Sequence, residues 1–332
     1  EFVVEYELSK QKLGEENESM KAELPKKLLD LSNIEIEEYI EFENPFLVTR
    51  YVWSWTLLFE FFNDITPSIR SSYTSQLKYI GKLLNFIFHQ VDISKNDFLE
   101  ELKQVDLTHY DPSGMEFLAE IRTTLIRLYY QILEHFASQA QTWFNGIRDR
   151  QLKNEIAKFT SKNISPLLVA NVFDKLSSMS APDDENMVLK INKVLNEVSS
   201  IYTIDEQKME MVIKIPFIYP LEKVTVEGPL RLGVKENQWR AWLLALQRVI
   251  SLENGSIMEA IELFNKNVNL HFLGFEDCAI CYSILHQDHS LPSKNCPTCN
   301  NKFHAACLYK WFKSSGSSTC PLCRSTFSFS RK

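Results

Sequence analysis

Cysteine is absent from the first 277 residues of this 332-residue chain; all seven (Cys278, Cys281, Cys296, Cys299, Cys307, Cys320 and Cys323) fall in the last 55. An oxidised secreted protein would spread its cysteines through the core. An odd number crowded into Cys-x-x-Cys pairs reads as metal ligation in a reducing compartment, so a cytosolic protein is expected. The sequons at Asn17, Asn163 and Asn254 carry little weight in such a chain. Glycine is also scarce, at nine residues, which favours helix over loop-rich β architecture. No uncharged apolar run approaches the ~20 residues that cross a bilayer; Tyr51–Phe59 is a typical long stretch. The chain opens at Glu1 and not at methionine, so a fragment or processed piece is expected.

The chain has a net charge of −7, unevenly spread. From Phe275 onward seven Lys or Arg face three Asp or Glu, a net +4, which leaves −11 for the rest. An acidic body argues against nucleic-acid coating, and no sequence-specific nucleic-acid or membrane partner is expected. Apolar content of 45% and aromatic content of 12% suit packed domains, of which this length accommodates two or three.

Residues 1–30 are rich in Glu and Lys and read as a loose or helical N-terminal segment. Residues 31–181 read as helical throughout. Thr66-Pro67 is a helix start. Leu77, Ile80, Leu84 and Phe88 then follow at helical spacing, as do Phe117, Ile121, Leu125, Leu128 and Ile132. Such wide apolar faces need partner helices, so antiparallel pairs or a short solenoid fit best.

Ser180 to Glu185 reads as a linker. Val188, Ile191, Leu195 and Val198 predict one more amphipathic helix. The period then changes. Met209, Met211, Ile213 and Ile215 alternate with Lys208, Glu210, Val212 and Lys214, which predicts a half-buried strand ended by Pro216 and Pro220. Val224-Thr-Val-Glu predicts a short second strand before Gly228. Trp239, Trp242, Leu243, Leu246, Val249 and Ile250 restore helical spacing, and Ser256 with Glu259 forms a capping box for a further helix. Residues 182–273 thus read as a small α+β domain.

The cysteines group as Cys278-x2-Cys281, Cys296-x2-Cys299, Cys307 and Cys320-x2-Cys323, with His304 three residues before Cys307. Two residues between ligands make a tight knuckle, and Pro297 and Pro321 preset such a turn. Zinc takes four thiolate or imidazole ligands in a tetrahedron. Seven cysteines and one histidine supply two closed sites, hence two structural zinc ions. His286 and His289 are rival ligands, but the spacing of His304 to Cys307 suits a knuckle better. Closed sites leave no position for metal-ion catalysis.

This order of ligands, four cysteines, then one histidine, then three cysteines, resembles a RING finger of the variant class, and it is also similar to a PHD finger. A PHD finger places a large aromatic two residues before the seventh ligand, where this chain has Ser318. A RING places Trp four residues after the sixth, Pro after the seventh and a basic residue after the eighth, where this chain has Trp311, Pro321 and Arg324. The resemblance to a RING implies a cross-brace. In it Cys278, Cys281, His304 and Cys307 hold one zinc, and Cys296, Cys299, Cys320 and Cys323 hold the other. It also implies that Ile280, Trp311, Pro321 and Leu322 bind a ubiquitin-conjugating enzyme, with Arg324 as the linchpin that orients its loaded ubiquitin. Since zinc claims every cysteine, no ubiquitin thioester on this chain is expected.

Further stretches extend the likeness. Asn254-Gly-Ser-Ile-Met-Glu, the run from Phe275 to His286, Leu291-Pro, the run from Lys302 to Phe312, Trp143-Phe, Phe159-Thr-Ser-Lys, Tyr219-Pro-Leu and Gln238-Trp-Arg-Ala-Trp are similar to the C-terminal region of the listerin family of ubiquitin ligases. That resemblance implies HEAT-like helices over 31–181, an RWD-like domain over 182–273 and a RING over 274–332, at the end of a longer protein. An RWD domain often carries Tyr-Pro-x-x-x-Pro; here Val224 replaces the last proline. The implied activity is ubiquitin transfer to lysines of stalled nascent chains in ribosome-associated quality control. The implied partners are a conjugating enzyme (E2), ubiquitin, the large (60S) ribosomal subunit with its stalled peptidyl-tRNA, and other quality-control factors. The alternative is a PHD-like or scaffold zinc module without transfer activity.

Overall fold

The structure is a computed structural model and describes residues 22–33, 45–63, 65–93, 102, 106–107, 117–178, 186–204, 207–286 and 290–327. Most of the N-terminal segment and the 180–185 linker lie outside these residues. The chain divides into two compact units. The first comprises residues 1–170 with 216–223 and 251–254; the second comprises 171–215, 224–250 and 255–332.

The first unit is helical. Its described helices are α1 (Lys26–Ser32), α2 (Pro45–Glu60), α3 (Pro67–Gln76), α4 (Ile80–Gln90), α5 (Phe117–His135), α6 (Ala137–Gly146), α7 (Arg150–Phe159) and the start of α8 (Ser165–Ser178). Apolar residues at helical spacing bury Trp55 and Phe59 of α2, Leu83, Leu84 and Ile87 of α4, and Tyr129 and Ile132 of α5 in one core. Phe136, between α5 and α6, packs edge-on against Phe62 with centroids 4.7 Å apart. The α1 helix is not isolated: Leu24 and Leu28 join this core, and Gln76 accepts a hydrogen bond from the Leu24 amide at 2.9 Å.

Two local readings are corrected. Leu77 does not continue the helix from Pro67; its φ of −92° and ψ of 88° end α3, and a new helix begins at Ile80. Leu77, Ile80 and Leu84 are still buried, so the spacing marked a shared apolar face and not an unbroken helix. Thr66 sits at the N-cap with Pro67 behind it, but its side chain makes no capping hydrogen bond. Between α7 and α8 a π-turn spans Thr160–Ile164, where the Ser165 amide reaches back to the Thr160 carbonyl. Pro166 follows with no amide hydrogen to donate, so the ladder shifts register just before it.

The second unit contains a four-stranded antiparallel meander in the order β1 (Met187–Asn192), β2 (Glu197–Ile204), β3 (Gln207–Lys214), β4 (Thr225–Leu230). The predicted strand is β3, and Met209, Met211, Ile213 and Ile215 are buried as its alternation requires. The helix expected at 188–198 is a β-hairpin instead. Met187, Leu189 and Ile191 alternate on β1, and the register runs from Met187 opposite Tyr202 to Asn192 opposite Glu197. The Asn192 side chain accepts from the amides of Val194 and Leu195, and Asn196 turns the chain at a φ of 52°. Apolar residues at 188, 191, 195 and 198 satisfy helical spacing, but Met187, Leu189 and Ile191 satisfy alternation, and pairing within the β1–β2–β3 meander decides the outcome.

Helices α9 (Glu236–Leu252) and α10 (Ile257–Phe272) bury Trp239, Trp242, Leu246, Ile261, Phe264 and Val268. The capping box is present, with Ser256 accepting from the Glu259 amide at 3.1 Å. Gly228 on β4 allows the close approach of Trp239: a Cβ there would overlap the indole, whose Nε1 donates to the Gly228 carbonyl at 3.3 Å.

Candidate metal centres

Three knuckles share one backbone design. The amide of the residue after each second cysteine donates to the carbonyl of the first: Tyr282 to Cys278 at 2.7 Å, Asn300 to Cys296 at 2.9 Å and Arg324 to Cys320 at 3.1 Å. The first cysteine's own amide donates to the carbonyl five residues on, at Ser283, Asn301 and Ser325, in each case within 3.0 Å. Closing so tight a loop forces a left-handed residue, and Tyr282, Asn300 and Arg324 have φ values of 57°, 56° and 61°. Tyrosine and arginine are costly there, of order 1–3 kcal/mol each, and persist only where the surroundings fix them.

The remaining ligand pair begins helix α11 (Ala305–Ser315), with His304 at its N-cap and Cys307 in its first turn. Gly316 ends it at a φ of 65°. The short ladder β5 (Lys294–Asn295) with β6 (Lys302–Phe303) precedes it. Phe303, Leu308 and Phe327 form a small core with the buried cysteines.

Two sets of four donors result: Cys278, Cys281, His304 and Cys307, and Cys296, Cys299, Cys320 and Cys323, each with its donor atoms within 4.8 Å of one another. This is the cross-brace, first pair with third and second with fourth. A zinc tetrahedron with the usual bond lengths has sulfur–sulfur edges of about 3.8 Å and sulfur–nitrogen edges of about 3.6 Å. The observed edges match: 3.6 Å for Cys296 to Cys323, 3.7 Å for Cys299 to Cys320, and 3.4 and 3.8 Å from His304 Nδ1 to Cys281 and Cys307. The donor set therefore fits two zinc ions. A bound zinc holds each set together and leaves no open coordination position.

The histidine is oriented for this. His304 is fully buried, its Nε2 lies 3.0 Å from the Ile284 carbonyl, and Nδ1 faces the sulfurs. A proton on Nε2 donating to that carbonyl leaves Nδ1 as the ligand lone pair. Hydrogen bonds from Cys281 and then Cys307 hold the Cys278 thiol well below its ordinary range, while the Cys278 thiolate pushes Cys281 upward. Sulfurs crowded in this way suit a cation, which would hold them as thiolates. His286 stands beside His304, centroids 5.2 Å apart, but is outside the donor set; His289 lies outside the described residues.

Ile280 sits in the first knuckle, Pro321 and Leu322 in the third, and Trp311 on α11; all four keep exposed surface, Leu322 at 50%. The Trp311 Nε1 donates to the Thr319 carbonyl at 2.9 Å, which fixes the indole, and Arg324 stands over its face. Ser318 is exposed. Sequence reasoning missed Trp242 and Asn267, which grip the first knuckle from α9 and α10. The signal for Asn267 was a polar residue on an apolar helical stripe, between Phe264 and Val268.

Comparisons with known proteins extend this description. A family model described as the LTN1 family HEAT repeat region matches residues 1–177, one described as ubiquitin conjugating domain-like matches 187–271, and a Ring finger domain model matches 276–324. The chain is similar to the E3 ubiquitin-protein ligase listerin of Saccharomyces cerevisiae, 40% identical over 355 residues, covering 100% of this chain and 23% of that protein. The listerin of Schizosaccharomyces pombe is 41% identical over 286 residues, covering 84% and 18%. That of Mus musculus is 34% identical over 296 residues, covering 84% and 16%. The chain thus spans less than a quarter of the length of these relatives.

Proposed function

This chain belongs to the listerin family, and on that premise we propose that it is the RING-bearing end of an E3 ubiquitin ligase. The observation that carries the reading is the half-buried Trp311, fixed by Thr319 with the Arg324 guanidinium over its face, beside two closed metal sites. Ile280, Trp311, Pro321 and Leu322 bind the conjugating enzyme, Trp311 being the aromatic anchor. Arg324 offers a planar fork of donors that bonds the enzyme and its loaded ubiquitin together. A loaded conjugate held in one geometry loses less freedom on reaching the transition state, so the lysine amine attacks the thioester faster. The new isopeptide bond forms as the conjugating enzyme's thiolate leaves. No thiol of this chain takes part, because all seven cysteines lie in the two donor sets.

The finer reading keeps the boundaries expected above: an N-terminal segment over 1–30, HEAT-like helices over 31–181, an RWD-like domain over 182–273 and the RING over 274–332. The first three hold the RING on the large ribosomal subunit, where its substrates are lysines of stalled nascent chains and its neighbours are other quality-control factors in the cytosol. Family membership supports this. Among the described residues no helix is long and apolar enough to cross a membrane.

Release of ubiquitin from a loaded conjugating enzyme onto free lysine tests the core of the reading. Zinc-dependent discharge that Trp311→Ala abolishes is the expected result. No discharge with any conjugating enzyme would leave a zinc-stabilised binding module. Co-sedimentation with large subunits tests the rest: a chain carrying Cys296→Ser should still sediment with them, and failure of the unaltered chain to do so would remove the ribosomal reading.

A further inference from the structure

Asn267 is 3% exposed on α10, and both ends of its side-chain amide are hydrogen-bonded. Its Nδ2 donates to the Leu263 carbonyl at 2.8 Å. Its Oδ1 accepts from the amides of Ile284 and Leu285, both at 3.1 Å, in the segment that follows the first knuckle, and lies 3.0 Å from Ser283 Oγ, whose one proton it shares with the Leu285 carbonyl at 2.7 Å. On α9 the Trp242 Nε1 donates to the Tyr282 carbonyl at 2.9 Å. The carbonyls of this segment continue inward, Ser283 to the Cys278 amide and Ile284 to His304 Nε2. Two side chains of the α+β domain therefore hold, through one four-residue segment, the backbone that sets the first metal site.

We propose that Asn267, assisted by Trp242, is a positioning residue that locks the RING onto the α+β domain and braces His304 through Ile284. A RING on a free tether would present a bound conjugating enzyme in every direction. A RING clamped through Asn267 and Trp242 presents it in one, set by whatever holds the α+β domain. The consequence for transfer rests on the ligase reading; the clamp itself does not. Ligand-orienting partners of this kind change metal affinity by about 10–100-fold when lost. Unpaired amides at Ile284 and Leu285 would also be costly at a buried site.

The test uses the full chain with zinc bound, carrying Asn267→Ala or, as the milder change, Trp242→Phe, which keeps an aromatic ring and removes one donor. Backbone nitrogen relaxation reports whether residues 290–324 tumble with residues 187–271. Transfer of zinc to a colorimetric chelator reports release. In the unaltered chain the two segments should share one correlation time. In Asn267→Ala the RING should tumble faster than the α+β domain. One of its two zincs should leave about tenfold faster, with the other unchanged. Ubiquitin discharge to free lysine, which needs no fixed direction, should stay within about twofold, a difference of roughly 0.4 kcal/mol. Trp242→Phe should move tumbling and release the same way by less, and it decides the matter if Asn267→Ala does not fold. Common tumbling and unchanged release in both variants would overturn the proposal. If the unaltered chain discharges no ubiquitin, the ligase reading falls, and tumbling and release still decide the clamp.

Discussion

The guanidinium carbon of Arg324 lies 5.2 Å from the centroid of the Trp311 ring. Arg324 reaches that position because it closes the third knuckle in the left-handed conformation, at a φ of 61°. Trp311 meets it because its indole is tied to Thr319. The cation–π contact holds the guanidinium over the face of a half-buried ring, and contacts near the surface of this kind contribute about 0.5–1 kcal/mol.

Arg324→Ala should therefore leave zinc content and fold intact, weaken the unloaded conjugating enzyme only modestly, and slow ubiquitin discharge by about tenfold, a loss of roughly 1.4 kcal/mol. Arg324→Lys should rescue in part, since an ammonium is a point donor and not a planar fork. Trp311→Ala should lose binding and discharge together. Single-turnover discharge at saturating conjugate separates the cases; equal rates for Arg324→Ala and the unaltered chain would remove the orienting role.

Zinc should be integral to residues 278–323. Structural zinc contributes on the order of 10–16 kcal/mol in small domains, as much as the whole stability of many folds. Cys296→Ser or strong chelation should unfold this region while the helical unit keeps its ellipticity and thermal transition. Metal analysis should return two zincs per chain, and one or none would sink the two-site assignment.

Gly228→Ala should destabilise the α+β domain by about 1–3 kcal/mol, because the added methyl must displace the buried Trp239 indole or the β4 backbone. Calorimetry checks the shift, and the 278–323 region should retain both zincs. A neutral effect would mean that Trp239 can move away at no cost.

The helical unit should lose stability in alkali. Tyr129 is fully buried and hydrogen-bonded to Thr160 at 2.7 Å. Burial raises its pKa, as it does that of Tyr51, well above the ordinary phenol value, and in Tyr129 the bond to Thr160 only partly offsets this. Above pH ~10 the unfolded chain releases these protons and the folded chain keeps them, so stability is present below that value and falls as pH rises. The loss approaches about 1.4 kcal/mol per pH unit per tyrosine. Tyr129→Phe should flatten the slope of melting temperature against pH between about 9.5 and 11, and an unchanged slope would contradict the assignment.

That the seven cysteines and His304 are ligands was legible from spacing because a knuckle is local, whereas which pairs share a metal was implied only by the resemblance to a RING. Cys-x2-Cys closes within five residues, and eight donors fill two tetrahedra. The buried positions of β3 and the box at Ser256 were legible for the same reason, since alternation and capping are decided by near neighbours. The hairpin at 187–204 was not. Apolar residues at 188, 191, 195 and 198 fit a helical period while those at 187, 189 and 191 fit a strand, and pairing of β1 with β2 and of β2 with β3 selects the strand.

Residue type and local spacing suffice to mark which side chains are ligands, which faces are apolar and where most turns fall. Only the tertiary structure decided that the first knuckle is answered by His304 and Cys307, that Tyr282 and Arg324 turn left-handed, and that Asn267 reaches the Ile284 amide seventeen residues on. The physical reason is range. Propensity, capping and ligand spacing act over a few residues, while an acceptor within one helix becomes a partner only once packing has brought a distant backbone amide within about 3 Å of it.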